Sequence, residues 1–518
     1  MFVSLLAGAQ TVQVEGVQSG TWNADTILVT GDIDVVNVLR ILPGTTVLFD
    51  GFYGITIHEG ASFVAKGREN DSVVFTVSDT TGFHIYNSNK GGWNGICLMK
   101  AGKLRLDHCV LQYAKAADTL DRQGGALNIL GSDEVNINHC TLRYNRAREH
   151  GGAIYAVDSK VKMSQCALNY NKVEGDEIIY AMYGGAAGFL KCDVSLTDME
   201  FIGNVGERCI GGALSLDSCS LTLDRAVFSH NIGINGGGMY LMRCNHKECR
   251  LSNLLFANNL SRHFAGGLAF CDASPEVYNI TVTGNASEGV NCNGIFFYQN
   301  CSPKMTNCIV YGNYPLENEI GGDTIQMWVW TYDETAPEFR NCLVENLNKS
   351  ITNFEYISVF EDVMDVDPLF VDPENGNFRL SEDSPCRDAG KVMTPQYLLE
   401  GLDLDGMPRL ANRRVDLGPY EFSPESVDET DMGKRLIRLL GNPLNEESRL
   451  MVELEEPGLV EVRFISLLGR VVVEKSFGSR SAGATVLPVG DLATQLSNGL
   501  YLVEVVINGK TFTLKAIK

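Results

Sequence analysis

The sequence predicts an all-β protein: a right-handed parallel β-helix followed by a small C-terminal β-sandwich. Three observations carry this. A Gly-Gly-small-aliphatic step recurs at Gly124-Gly125-Ala126, Gly151-Gly152-Ala153, Gly184-Gly185-Ala186, Gly211-Gly212-Ala213, Gly236-Gly237-Gly238 and Gly266-Gly267-Leu268. A hydrophobic-x-x-Asn step recurs with it, at Asn145, Asn171, Asn204, Asn231, Asn259, Asn285 and Asn313, with a last copy at Asn346. Between them, apolar residues alternate at strand spacing, and no 3.6-residue pattern competes. A near-constant period of about 27 residues marks a stacked repeat whose single unit is too thin to bury its own core.

Within the coil Leu221 to Leu241, Leu221, Leu223, Ala226 and Phe228 are apolar, with one change of phase between the second and third. Asn231 turns the chain and Gly236-Gly237-Gly238 leads into the next strand. Stacking pairs each strand in parallel with its copy about 4.8 Å away, and the crossover rule favours a right-handed coil. Superposed asparagines, each with amide donors and an acceptor, are expected to form a ladder. Residues 1–9 read as the remnant of a signal peptide, with Ala7-Gly8-Ala9 as a small-x-small cleavage pattern. Residues 10–422 form the β-helix with its caps, the first hundred residues being its atypical start. Residues 423–435 are an acidic linker, and 436–518 the sandwich.

Net charge is −22, from 42 basic and 64 acidic side chains. That excess argues against nucleic acid and anionic membranes as partners. No apolar run approaches the roughly 20 residues of a transmembrane span. Of the fifteen cysteines, Cys109, Cys140, Cys166 and Cys308 share one repeat position and are expected to stack as buried thiols. Cys244 and Cys249 could close a loop disulfide, or with His246 hold a metal ion, although three ligands make a weak zinc signal. No cofactor or metal is expected.

Function is sought where the repeat varies. The Asn-to-Gly-Gly distance changes from coil to coil, longest after Asn171, and insertions on one face often mark a binding face. That rim places Arg148, His150, Glu177, Arg208 and His263 as ligand-binding candidates. Trp328 and Trp330 alternate onto one strand face and offer rings for stacking on sugars, or for packing under a loop. No catalytic residue is assigned. The Asn-Thr-Asp, Asp-Asp, Gly-His-Gly and Arg-Ile-Lys markers of polygalacturonase-like enzymes are absent from the sequence, and Asp367-Pro368 and Asp372-Pro373 read as turn starts.

Three stretches resemble known families. The Gly-Gly-Ala-Ile and hydrophobic-x-x-Asn repeats over Leu111 to Asn313 resemble the polymorphic outer-membrane protein repeat. Asp365-Val-Asp-Pro-Leu-Phe-Val-Asp-Pro373 through Asp416-Leu-Gly-Pro-Tyr-Glu421 is similar to the closing segment of secreted bacterial β-helix proteins. Val460-Glu-Val-Arg-Phe, Gly469-Arg470, Asn498-Gly-Leu-Tyr-Leu and Lys515-Ala-Ile-Lys518 resemble the type A sorting domain of the type IX secretion system. That last resemblance implies passage through the type IX machinery to the cell surface, with Gly469, Arg470, Gly499, Tyr501, Lys515 and Lys518 as sorting residues. The expected function is non-catalytic binding or adhesion to glycan or host surface protein. The alternative is a polysaccharide lyase or glycoside hydrolase acting through the variable rim.

Overall fold

The computed structural model describes residues 10–422 except 86–87, 101, 118–122, 176–182, 207, 245–248, 289–291, 317–323, 331–335, 348, 392–400 and 411–413. Within 437–517 it describes all but 441–443, 445–447, 455–457, 467–470, 482, 497–499 and 508–509. The chain divides into two compact units, Met1–Phe422 and Ser423–Lys518.

The first unit is a parallel β-helix. One ladder runs through Leu127–Leu130, Ile154–Val157, Ala187–Leu190, Leu214–Asp217, Met239–Met242, Leu268–Cys271, Ile295–Tyr298 and Met327–Trp330, each strand paired in parallel with the next. After a corner, longer strands such as Lys160–Asn169, Asp193–Ile202 and Ser220–Ser229 stack likewise. Each of these bends midway at one residue in the left-handed region, Gln165, Asp198 and Arg225, with φ of 52°, 54° and 53°. The bend explains the change of phase in the sequence. Leu221 and Leu223 point inward before Arg225, and Ala226 and Phe228 after it. The long strands are therefore two faces of the helix joined by a sharp corner.

Inside, equal positions stack. Phe201, Phe228 and Phe256 lie ring on ring at 4.6 and 4.7 Å. The amide ladder forms as expected from Asn145 to Asn313. Each Oδ1 accepts both the backbone N–H and the Nδ2 of the asparagine one coil earlier, at 2.9 and 2.9 Å for Asn231 with Asn204. Each Nδ2 also donates to a carbonyl of the coil before, as Asn231 does to Phe201 at 2.9 Å. Asn346 does not continue the ladder. Gln326 closes it, its Oε1 accepting from Asn313 Nδ2 at 2.6 Å and its Nε2 donating to Glu345 at 2.7 Å. Val344 pairs with Val310, which sets Asn346 level with the corner glycine Gly312 and not with Asn313. The second glycine of each pair permits close stacking. A Cβ on Gly152 would meet the Gly185 carbonyl of the next coil at 2.3 Å.

The cysteine stack holds for Cys109, Cys140 and Cys166, each Sγ beside the preceding backbone N–H at 3.4 and 3.5 Å. Cys308 stacks instead with Cys342, at 3.4 Å. A second stack at another corner runs Ser132, Ser159, Cys192, Cys219. Cys244 and Cys249 are buried thiols, not a disulfide, and His246 lies outside the described residues. The start is more regular than the sequence predicts. Thr11–Trp22 and Thr26–Ile41 already pair in parallel, and Thr46–Phe49 and Ser62–Lys66 continue the stack without the asparagine step.

The described residues of 365–422 fold back along the outside of the helix. Asp367 and Asp372 begin turns, Asp367 accepting the Leu369 N–H at 2.8 Å. Buried Arg409 sits 3.1 Å from Glu421 and donates to the Gly418 carbonyl. The second unit contains two antiparallel sheets, Ile437–Leu440, Arg449–Leu454 and Gly483–Pro488 against Val471–Arg480, Gly458–Ser466, Leu500–Ile507 and Lys510–Ile517. Leu450, Val462, Phe464, Leu487 and Val503 fill its core. Among the described residues no helix is long and apolar enough to cross a membrane.

Candidate functional site

The variable rim is largely a fourth ladder. Lys115–Ala116, Arg146–Ala147 and Lys172–Val173 pair in parallel, as do Ile232–Asn235 and Leu260–Phe264. Ala116, Ala147, Val173 and Cys209 form their own small apolar cluster beneath it. Its charges are engaged nearby: Arg146 and Lys172 both reach Glu174 at 2.8 Å, Arg262 pairs with Glu288, and Arg208 donates to the Gly175 carbonyl at 3.0 Å.

Among the described residues the rim candidates do not converge. His150 is half-buried, its ring 4.8 Å from Tyr155, and its Nδ1 accepts the Tyr183 N–H at 3.2 Å. Burial pushes its pKa down to about 4, so at neutral pH it is an uncharged brace. Exposed His263 lies against Phe264 at 3.8 Å, four coils further on, about 19 Å at the spacing of parallel strands. Arg148 is half-buried one residue beyond Ala147, and Arg208 is exposed two coils along. Glu177 lies outside the described residues. Beneath the rim, fully buried Asp217 accepts the Tyr183 hydroxyl at 2.8 Å and is clamped by Arg243. Burial and this contact push the Tyr183 hydroxyl up, which makes it a tie between rim and sheet and no base.

Trp328 and Trp330 share the outer face of Met327–Trp330, their rings 5.0 Å apart. Both are half-buried. Trp328 packs on Phe264 at 5.4 Å and Phe296 at 5.6 Å, and Trp330 on Tyr298 at 6.0 Å. They belong to an aromatic layer between sheet and rim, with Tyr155, Tyr183 and Tyr240. Of the sorting residues, Tyr501 is buried and Lys515 stands in Lys510–Ile517, while Gly469, Arg470, Gly499 and Lys518 lie outside the described residues.

Among the described residues an open concavity lies elsewhere. A groove of about 660 Å³ follows the outside of the mid-strand corner and is lined by Glu69, Ser72, His108, His139, Thr141, Gln165, Asp198 and Glu200, among others. It crosses five coils, about 19 Å along the axis. Buried Cys109, Cys140 and Cys166 underlie it. Burial holds the Cys140 thiol well above its ordinary value, hence uncharged. At one end Arg225 bridges Asp198 at 2.6 Å and Asp224 at 2.5 Å. Beyond Arg225 the same corner carries Asn253, Asn279 and Asn307, and there the C-terminal segment covers it. Asn279 Nδ2 donates to the Asp416 carbonyl at 3.0 Å, and Lys391 N–H donates to Asn307 Oδ1 at 3.0 Å. Among the described residues, the groove is thus the uncovered part of a strip whose other half docks the loops around Lys391, Leu402 and Asp416. Beside it, a hollow of about 410 Å³ is lined by Lys103, Arg105, Glu134, Asn136 and Asn138.

Apart from Cys109, Cys140 and Cys166, the sequence singles out none of these lining residues. One signal is present in it: Asp107-His108-Cys109 and Asn138-His139-Cys140 place histidine at one repeat position twice.

Neither a family model nor a curated protein matches the chain. Among solved structures, the crystal structure of the periplasmic alginate epimerase AlgG is similar, with a TM-score of 0.39 and 11% identity, covering 68% of this chain and 79% of that one. At that level the likeness adds nothing to the strand ladders themselves.

Proposed function

We propose that this is an exported cell-surface β-helix that binds a neutral or cationic glycan chain along the outer groove without cleaving it. The observation that carries this reading is the uncovered strip. Polar groups recur at the coil spacing over five coils, so an extended polymer laid along the axis meets a polar side chain at each step. The lining carboxylates Glu69, Asp198 and Glu200, with a net charge of −22, disfavour a polyanionic ligand. Hydroxyl groups of neutral sugars suit carboxylates and amides as acceptors and donors. An extended segment of a host surface protein is the other polymer of this shape.

Residues 436–518 serve as the type IX sorting domain, a reading supported by their sequence resemblance and by a compact two-sheet unit of the expected kind. Lyase or hydrolase action through the rim draws no support from His150 and Tyr183, whose Nδ1 and hydroxyl are engaged in structural contacts with the Tyr183 N–H and Asp217. The deciding experiment passes the full chain over neutral, cationic and acidic glycans and assays for new chain ends. Retention on a neutral or cationic glycan without new ends is expected. New ends would establish the enzyme reading, and no retention on any glycan would remove this one.

A further inference from the structure

Two imidazoles and a carboxylate meet at the N-terminal part of the groove. His108 and His139 occupy the mid-strand corner in successive coils, with φ of 49° and 50°. This left-handed conformation is one that histidine, like asparagine, tolerates better than most residues. Stacking of the coils sets the rings parallel, centroids 4.3 Å apart. Asp107, the last residue of Lys103–Asp107, turns its carboxylate toward both: Oδ1 lies 2.9 Å from His108 Nδ1 and 3.4 Å from His139 Nδ1. One donor atom from each residue lies within 4.8 Å of the others.

We propose that Asp107, His108 and His139 form a binding site for a divalent transition-metal ion, zinc foremost. The geometry favours it. Ligands about 2.0–2.1 Å from a tetrahedral ion stand about 3.4 Å from one another, and both carboxylate–imidazole separations are at or below that value. Only the two rings need to splay, and the freedom is there: the His139 side chain is 41% exposed and His108 25%. Each neutral imidazole offers Nδ1 to the ion and carries its proton on Nε2. Two nitrogens and one carboxylate oxygen select zinc, nickel or copper over calcium and magnesium, which take oxygen ligands. Three protein ligands leave a fourth position, where water or an oxygen of a bound molecule completes the shell. The site stands apart from the glycan reading, because the metal is measured by itself.

The test uses the full chain, zinc chloride, equilibrium dialysis with elemental analysis, and X-ray absorption. His108→Asn and His139→Asn are the variants of choice, because Asn253, Asn279 and Asn307 hold the same corner at φ 55°, 53° and 58°. Asparagine therefore keeps the fold while removing the imidazole, and circular dichroism and melting check this. The unsubstituted chain is expected to bind one more equivalent of zinc than the double variant. Each single variant should weaken that equivalent at least about tenfold, and its absorption spectrum should show nitrogen and oxygen neighbours. Equal zinc content and affinity in a folded double variant would overturn the proposal. So would a sulfur shell for the lost equivalent.

Discussion

An asparagine in the middle of the ladder serves both neighbouring coils at once, and its loss strands buried groups on both sides. In Asn231→Ala the Asn204 N–H and Nδ2 lose their acceptor and the Phe201 carbonyl its donor in the coil before, and Asn259 Oδ1 loses one of its donors in the coil after. We expect a loss of about 2–4 kcal/mol, measured by urea denaturation of the full chain. A loss below about 0.5 kcal/mol would mean that water replaces the amide. His150 gives a pH signature. Its folded pKa is depressed by burial, to about 4, so the unfolded chain takes up the proton first as pH falls below about 6.5. The stability it contributes is full above that value and is lost progressively toward about 4, amounting to roughly 2 kcal/mol near pH 5. His150→Gln should flatten that part of the stability profile, and an unchanged slope would contradict the burial argument. Asparagine was legible in the sequence because one residue type must supply both donor and acceptor at every coil. The histidine pair was not, because contact between residues 31 apart depends on coil register, and a doubled His-Cys dipeptide reads locally as two unrelated corners.

At the scale of the element, the sequence pattern shows strands and hides corners. The phase change between Leu223 and Ala226 marks a left-handed Arg225, yet alternation alone does not say which way the chain turns. For the same reason the rim reads as loops in the sequence. Two-residue strands such as Arg146–Ala147 are too short to show a period, and only their parallel neighbours make them a ladder. Trp328 and Trp330 illustrate the companion problem: alternation puts them on one face, but what covers that face comes from Phe264, two coils away in the stack. The closing segment is held by buried Arg409, which touches Glu421 and donates to the Gly418 carbonyl. Burial pushes the Glu421 carboxyl up to about 8, so in Arg409→Ala it takes up a proton, and the lost hydrogen bonds cost about 1–3 kcal/mol. Faster hydrogen exchange and proteolysis over 401–422, with little change in the coils before Asn231, is the expected outcome. Uniform destabilisation of the whole stack would show that the segment does not open by itself.

At the scale of the whole molecule, a β-helix has one core but a long surface, and its function depends on which strip remains uncovered. The sequence reveals the stack and its period, while the covered and open halves of the corner strip depend on where residues 365–422 fold back. Deleting 436–518 should leave the first unit folded and trap it in the periplasm. Unchanged surface display would contradict the sorting role. The most direct measurement of the central claim is glycan retention by a groove-filling variant beside a rim variant. Ala167→Trp stands on the strand Lys160–Asn169, in the fourth of the five coils that line the groove, and Arg208→Ala changes the rim alone. Retention abolished by Ala167→Trp and kept by Arg208→Ala, with both variants melting like the unsubstituted chain, is the predicted result. Retention kept by Ala167→Trp and lost in Arg208→Ala would move the binding site to the rim and contradict the account.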